Sequence, residues 1–261
     1  MIVDSVVAAR VAALRQDPAF RGLSRSLEVY YGDPHRDAAM DGLYRRFLRD
    51  GDLAFDIGSH VGDRIGSFRR LGARVVALEP QPLCARAIRA IYADDPEVVL
   101  LQAACAERPG HLTLRINSAN PTVSTASAEF VAAAAGAGGW EGQFWDAQVE
   151  VPSTTLDALI AQNGAPAFAK IDVEGFEDVV LQGLSRALPA LSFEFTTIQR
   201  DIAYRCLARL DCLGRYGCDI ALGESQAMTF NRWISPAEMT DHIAGLAHAA
   251  NSGDVYCVLE G

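Results

Sequence analysis

Short apolar runs alternate with amphipathic stretches along the middle of this 261-residue chain. Runs of four or five mostly apolar residues are typical of buried parallel strands. They lie at 53–57, 74–78, 98–101, 167–171 and 191–195. Three of the intervening stretches carry apolar residues at helical spacing, namely 62–71, 82–93 and 177–184. Strands that alternate with helices predict an α/β fold with a mostly parallel sheet.

The remaining elements flank this alternating core. Further helices are predicted over 3–15, 34–49 and 200–216, from Ser153 or Thr154 as the cap to Gln162, and from Ser235-Pro236 onward. Further strands are predicted at 111–116, which is peripheral, and at 218–222 and 255–259. We therefore expect a helical extension over 1–50, packed on a single α/β domain over 51–261.

Composition and charge narrow the class of protein. Half of the residues are hydrophobic, the net charge is −10 and the pI is about 4.9, which argues against a nucleic-acid surface. The six cysteines are scattered without a Cys-x-x-Cys pair, so free thiols in a reducing cytoplasm are expected. Asp4 and Arg10 interrupt the first apolar stretch, so no signal peptide or membrane partner is expected. The sequence leaves open whether the protein forms a homodimer.

The turn after the first predicted strand carries the first chemical signal. It has the form Asp-x-Gly-x-x-x-Gly, from Asp56 through Gly58 to Gly62, and Glu79 follows Gly58 by 21 residues. An acid at that position accepts hydrogen bonds from both hydroxyls of a nucleoside ribose. The turn lacks the third glycine of the dinucleotide fingerprint. S-Adenosyl-L-methionine has no phosphate, so this looser turn predicts it as the cofactor.

The predicted cofactor-binding residues follow the carboxyl ends of the parallel strands, where ligands bind in open α/β sheets. They are Asp56, Gly58, Ser59, His60, Gly62, Glu79, Pro80, Gln81, Ala103, Ala104 and Asp172. Ala103 and Ala104 are expected beside the adenine. Tyr30 and Tyr31 could also reach the cofactor, although packing at the edge of an element is the more common role of such residues.

Carboxylates cluster after the fourth core strand. Asp172, Glu174 and Glu177 fall within six residues, and Glu194 lies near the end of the next strand. Methyl transfer to an alcohol gains from a general base, so Asp172 and Glu174 are the leading catalytic candidates, with His60 as a third. A divalent cation held by Asp172, Glu174 and Glu194, which would orient a diol, is the less favoured interpretation, because no His or Asp pair has metal-ligand spacing. We therefore assign no metal from the sequence.

The stretch 117–145 is the least regular part of the chain. It combines a polar segment, a predicted short helix over 130–135 and a glycine-rich segment. Long loops inside compact domains are often binding loops or lids. We expect this stretch to border the substrate. The predicted substrate-binding residues are Asn120, Trp145, Glu174 and Glu194.

Three motifs together resemble the FkbM family of S-adenosylmethionine-dependent methyltransferases. They are the Phe-Asp-Ile-Gly-Ser-His-Val-Gly turn, Ala-Leu-Glu-Pro, and Ala-Lys-Ile-Asp-Val-Glu-Gly-Phe-Glu, with Thr155-Leu156-Asp157 ahead of the last. The resemblance covers about 53–195. It implies a class I methyltransferase Rossmann-like fold, with a seven-stranded sheet, an antiparallel last strand and helices on both faces. It also implies O-methylation of a sugar, polyketide or related metabolite. The family more often has Ala-Asn where this chain has Ser59-His60.

Two other function classes stay open at this point. A nicotinamide-dependent oxidoreductase would share the α/β fold and the ribose-binding acid, but the missing third glycine counts against it. A catalytically silent binding module would share the fold alone, and the intact acid cluster counts against that.

Overall fold

A computed structural model describes residues 2–261, with side chains from residue 5 onward. Met1 in the predicted extension and the side chain of Val3 in the predicted first helix lie outside the described residues. No helix within 2–261 has the length and apolar character that a membrane crossing requires.

A seven-stranded sheet forms the centre of the molecule. Its strands are β1 Leu53–Ile57, β2 Arg74–Leu78, β3 Val98–Leu101, β7 Phe168–Ile171, β8 Ala190–Thr196, β9 Tyr216–Leu222 and β10 Ser252–Leu259. Their order is β3-β2-β1-β7-β8-β10-β9. Strands β1, β2, β3, β7 and β8 pair in parallel, whereas β10 is antiparallel to both β8 and β9. The predicted fold, with its antiparallel last strand, is confirmed.

Helices cover both faces of this sheet. They are α1 Ile2–Gln16, α2 Ser24–Tyr31, α3 Pro34–Tyr44, α4 Asp63–Arg70, α5 Pro82–Ile91, α6 Ala128–Ala134, α7 Leu156–Asn163, α8 Glu177–Gln182, α9 Arg200–Leu213 and α10 Pro236–Gly245. One apolar core joins the sheet to α7, α8, α9 and α10. A second core joins the other face to α1 through α5. The three N-terminal helices therefore share a core with the helices of the βαβ units.

A small second sheet and the stretch 117–145 lie beside the carboxyl ends of the parallel strands of the large sheet. The small sheet contains β4 Ala104–Cys105, β5 Gly110–Ile116 and β6 Ala147–Thr154, in the order β4-β6-β5. The stretch 117–145 connects β5 to β6 and has its own apolar cluster around Phe130 and Trp140. A local core of this kind makes the connection a packed part of the fold.

Three predicted helix boundaries were wrong. Thr155 caps α7 through its side chain, whereas Ser153 and Thr154 end β6, a strand that the sequence pattern did not predict. Helix α9 ends at Leu213, because the chain becomes extended at Gly214 before β9. Helix α3 ends at Tyr44, five residues before the predicted end, where the chain turns toward β1.

Candidate active site

A cleft opens at the carboxyl ends of β1, β2 and β7. Strand β1 pairs with β2 on one side and with β7 on the other, so the strand order reverses at this point. Ligands of open α/β sheets bind at such a switch point. Ten of the predicted site residues line the cleft: Gly58, Ser59, His60, Glu79, Pro80, Gln81, Ala103, Ala104, Asp172 and Glu174.

Gly58 allows the ends of β1 and β7 to approach closely. Its φ is +86°, a left-handed conformation that side chains disfavour. A Cβ at this position would lie only 1.8 Å from the backbone oxygen of Asp172. The backbone N–H groups of Gly58 and Ser59 both donate to the carbonyl of Leu78, at 2.9 and 3.0 Å. The glycine therefore sets the contact between two strand ends that form the cleft.

Glu79 is held rigidly at the tip of β2. Its carboxylate accepts the backbone N–H groups of His60 and Gln81, each at 2.7 Å. The side chain is 2% exposed, and this burial raises the pKa of Glu79 to about 8 despite the two N–H donors. A carboxylate has about four acceptor sites, so sites for ligand hydroxyls remain.

Apolar side chains form the neighbouring wall of the cleft. Leu78 comes from β2, Ala103 and Ala104 follow β3, and Leu114 projects from β5 of the small sheet. This surface suits a flat, apolar ring such as adenine. The small sheet therefore completes the wall next to Glu79.

Three carboxylates converge near the ends of β7 and β8, and two of them, Asp172 and Glu174, line the cleft. One oxygen from each of Asp172, Glu174 and Glu194 lies within 4.8 Å of the other two. The Lys170 ammonium donates to Asp172 Oδ2 at 2.5 Å. Burial alone would raise the pKa of Asp172, but Lys170 holds it below its ordinary value. We refer to Asp172, Glu174 and Glu194 as the acid cluster.

The two glutamates of the acid cluster have the opposite electrostatic environment. Burial, followed by the charges of Asp172 and Glu177, raises the pKa of Glu174 well above its ordinary value. Burial and neighbouring carboxylates also raise the pKa of Glu194. The cluster therefore contains one carboxylate stabilised by an ammonium group and two that are markedly more basic.

The turn that carries Glu174 is fixed by several contacts. Glu174 has a φ of +56°, and the hydroxyl of Thr125 donates to its backbone oxygen at 2.6 Å. Glu177 Oε1 accepts the N–H groups of Val173 at 2.9 Å and Gly175 at 3.3 Å. Glu177 thus stabilises the turn, and Thr125 links it to the 117–145 stretch.

His60 lines the cleft as a neutral imidazole. Burial lowers its pKa to about 4, although nearby carboxylates act in the opposite direction. Its ring nitrogens lie 3.7 Å from the Cys84 sulfur and 3.3 Å from the Thr122 hydroxyl. A group with so low a pKa accepts protons poorly at neutral pH, so the environment disfavours His60 as a general base.

An ion-pair network at the cleft wall was not predicted from the sequence. Asp63 pairs with Arg36 at 3.0 Å and with Arg64 at 2.5 Å, and Glu224 pairs with the same two arginines at 2.7 and 3.1 Å. Tyr30 lies beneath the Arg36 guanidinium and also lines the cleft. The network joins α3, α4 and the loop after β9. Nothing in the local sequence around Glu224 indicates this pairing.

Five predicted site residues lie outside the cleft wall: Asp56, Gly62, Glu194, Asn120 and Trp145. Asp56 is fully buried within β1, and burial raises its pKa to about 6. Gly62 packs against Tyr92, whose hydroxyl donates to the Gly62 carbonyl at 2.7 Å. The roles of Asp56 and Gly62 in cofactor binding stay predictions, and the contacts that the structure shows for these two residues are structural.

The predicted substrate residues of the 117–145 stretch contact other parts of the same stretch. Asn120 donates to Gln143 at 3.2 Å. The Trp145 indole donates to the carbonyl of Val123 at 2.8 Å. The part of this stretch that reaches the cleft consists of Thr122, Ser124 and Ala126. The predicted substrate contacts of Asn120 and Trp145 stay untested.

Solved structures with a similar fold are methyltransferases of diverse kinds. Precorrin-6Y C5,15-methyltransferase from Geobacter metallireducens is 14% identical, with 86% of each chain covered and a TM-score of 0.45. A TehB-like methyltransferase from Corynebacterium glutamicum is 10% identical, with 85% of this chain and 88% of the other covered and a TM-score of 0.44. An rRNA methylase from Streptococcus thermophilus is also 10% identical, with 84% and 94% covered and a TM-score of 0.43. Such distant likenesses concern the fold alone.

Family membership rests on the sequence itself. No curated protein matches the chain. The family model described as the methyltransferase FkbM domain matches residues 56–212, which is more than half of the chain and includes the Gly58 turn, Glu79 and the acid cluster. The chain therefore belongs to the FkbM family of S-adenosylmethionine-dependent methyltransferases.

Proposed function

We propose that this methyltransferase transfers the methyl group of S-adenosyl-L-methionine to a hydroxyl group of a small metabolite or sugar. The observation that supports this proposal is the acid cluster near the ends of β7 and β8, because two of its members, Asp172 and Glu174, line the same cleft as Glu79. A carboxylate suited to ribose hydroxyls and a basic carboxylate in one cleft suit a cofactor and a hydroxyl acceptor side by side.

The chemistry of the cleft fits the cofactor. The Glu79 carboxylate, positioned by two N–H donors, would accept the ribose hydroxyls. The apolar wall around Leu78 and Ala104 would contact the adenine. When bound, the cofactor supplies a methyl group activated by a sulfonium. The Gly58 turn would lie beside the remaining part of the cofactor.

The acid cluster would bind and deprotonate the acceptor. The cofactor would supply the activated methyl group, and the proton that the acceptor hydroxyl loses on methylation would pass to a carboxylate of the cluster. Glu174 is the better proton acceptor, because burial and its neighbours raise its pKa. Asp172, fixed by Lys170, would orient the acceptor in line with the methyl group.

A labelled methyl-transfer assay tests this function. Protein is incubated with deuteromethyl-labelled cofactor and a panel of sugars, polyols, phenols and amines, and NMR locates the transferred methyl group. We expect the label on oxygen. The Glu174→Gln variant should lower kcat by about 10²–10⁴-fold, as expected for loss of a general base. The affinity for S-adenosylhomocysteine should change much less.

Glu129→Gln is the matched control for that variant. Glu129 is exposed at the start of α6. Its side chain forms no hydrogen bond or ion pair with any residue of the described range 5–261. Its replacement should leave kcat unchanged. A product methylated on nitrogen or carbon would contradict the proposed acceptor class, and a normal kcat in Glu174→Gln would contradict the proposed base.

A further inference from the structure

The acid cluster brings together carboxylates that are far apart in sequence. Asp172 and Glu174 follow β7, whereas Glu194 belongs to the neighbouring strand β8. Each offers one oxygen, and the three oxygens lie within 4.8 Å of one another. Two oxygens that bind one divalent cation at about 2.0–2.6 Å lie at most about 5.2 Å apart, so these three oxygens are close enough together to share one cation. The sequence spacing alone disfavoured such a site, because the pairing of β7 with β8 creates it.

The charges around the cluster are unbalanced. Lys170 pairs with Asp172, and Asp172 shares a hydrogen bond with Glu194. The charged groups with the largest effect on Glu194 are the carboxylates of Glu174, Asp172, Glu177 and Asp254. Asp254 lies directly opposite Glu194 in the β8–β10 pairing. Buried carboxylates in such numbers are unfavourable unless protons or a cation neutralise them.

Two buried side chains at the cluster have oxygen atoms without a visible partner. The Glu174 side chain is 8% exposed, and within residues 5–261 its carboxylate accepts no hydrogen bond and forms no ion pair. Gln199 is also 8% exposed, and its Oε1 has no hydrogen-bond partner. Gln199, Glu194 and Gly175 line one small cavity beside the cluster. A Cβ on Gly175 would lie 2.6 Å from Gln199 Oε1, which therefore reaches the turn that carries Glu174.

We infer that Asp172, Glu174 and Glu194 bind a divalent metal cation, beside the unpartnered oxygen of Gln199. The donor set contains only oxygen, which favours Mg²⁺ or Mn²⁺ over softer metals. Three monodentate carboxylates leave coordination positions for water and for a ligand from the cleft.

The role of this cation depends on the proposed function, although its binding does not. A cation in the cluster would coordinate the acceptor hydroxyl and lower its pKa, so that less basic groups can remove the proton. Each carboxylate would supply one oxygen to the metal, which leaves the second oxygen of Glu174 free to accept that proton. A second free position would select acceptors with two adjacent oxygens, such as vicinal diols.

Titration with Mn²⁺, followed by electron paramagnetic resonance, tests the site directly. The full-length protein is first treated with a chelator and then titrated with and without S-adenosylhomocysteine. We expect one saturable Mn²⁺ site tighter than about 1 mM, the weak end of protein sites, and competition by Mg²⁺. Glu194→Gln should weaken Mn²⁺ binding by at least about tenfold, whereas Glu129→Gln should not.

Thermal unfolding without metal controls for folding of the Glu194→Gln variant. Its melting temperature should equal or exceed that of the native protein, because an amide relieves repulsion among the buried acids.

Two results would overturn the metal site. One is the absence of saturable Mn²⁺ binding to native protein in both conditions. The other is equal Mn²⁺ affinity in the native protein and in folded Glu194→Gln. S-Adenosylhomocysteine binding in the same samples reports separately on the cofactor site.

Discussion

Replacing Gly58 with alanine should damage both the stability of the fold and the cofactor cleft. The added Cβ would lie 1.8 Å from the Asp172 carbonyl oxygen, and real Cβ contacts are essentially never shorter than 3.0 Å. The ends of β1 and β7 must therefore move apart by at least 1.2 Å. That movement strains the hydrogen bond from the Asp172 N–H to the Ile57 carbonyl, which measures 2.9 Å.

Three contributions give the expected magnitude. A non-glycine residue in the left-handed region costs about 1–2 kcal/mol. Forcing extra volume into a packed site costs about 1–3 kcal/mol, and a weakened buried hydrogen bond adds about 1 kcal/mol. Gly58→Ala should therefore lower the free energy of unfolding by about 3–6 kcal/mol.

Gly51→Ala is a matched control for backbone strain. Gly51 has a φ of +82°, close to that of Gly58, but a Cβ added there would have no atom of a non-adjacent residue within 4 Å. We expect a loss of about 1–2 kcal/mol for this variant and normal binding of S-adenosylhomocysteine. Urea unfolding measures both variants, and calorimetry measures ligand binding. Equal stability losses in the two variants would refute the argument that close approach of β1 and β7 requires glycine.

Three further variants probe the cleft. Burial raises the pKa of Glu79 from 4.5 to about 8, so between these pH values the folded protein retains a proton that the unfolded chain releases. The free energy of unfolding should therefore fall as the pH rises from 4.5 to about 8. In urea unfolding, Glu79→Gln should make this fall smaller. Thr125→Val removes the hydrogen bond to the Glu174 carbonyl and should cost about 1–3 kcal/mol of stability and lower kcat. His60→Asn should keep kcat within about threefold in the methyl-transfer assay, because an imidazole with a pKa near 4 contributes little as a base.

The βαβ unit around the glycine turn was predictable because local pattern and chain topology agree there. Strands β1, β2 and β3 begin and end at the predicted residues, since each is a short apolar run bounded by turn residues. The positions of Glu79 and Asp172 follow from the same rule, because each is the first residue past its strand.

The remaining parts of the site depend on contacts between distant segments. Glu224 reaches the cleft only because α3 and α4 present Arg36 and Arg64 to it. The 117–145 stretch has loop-like composition, yet Phe130 and Trp140 give it a core of its own. The acid cluster likewise depends on the pairing of β7 with β8. Periodicity within one segment does not contain this information.

Calorimetric titration with S-adenosylhomocysteine tests the central claim most directly, because it asks whether Glu79 binds the nucleoside of the cofactor. We expect one site in the native protein and binding weakened by about 1–3 kcal/mol in Glu79→Ala, which is about 5- to 150-fold in affinity. Glu129→Ala should bind as the native protein does. Unchanged affinity in a folded Glu79→Ala variant would contradict the assignment of this cleft as the cofactor site.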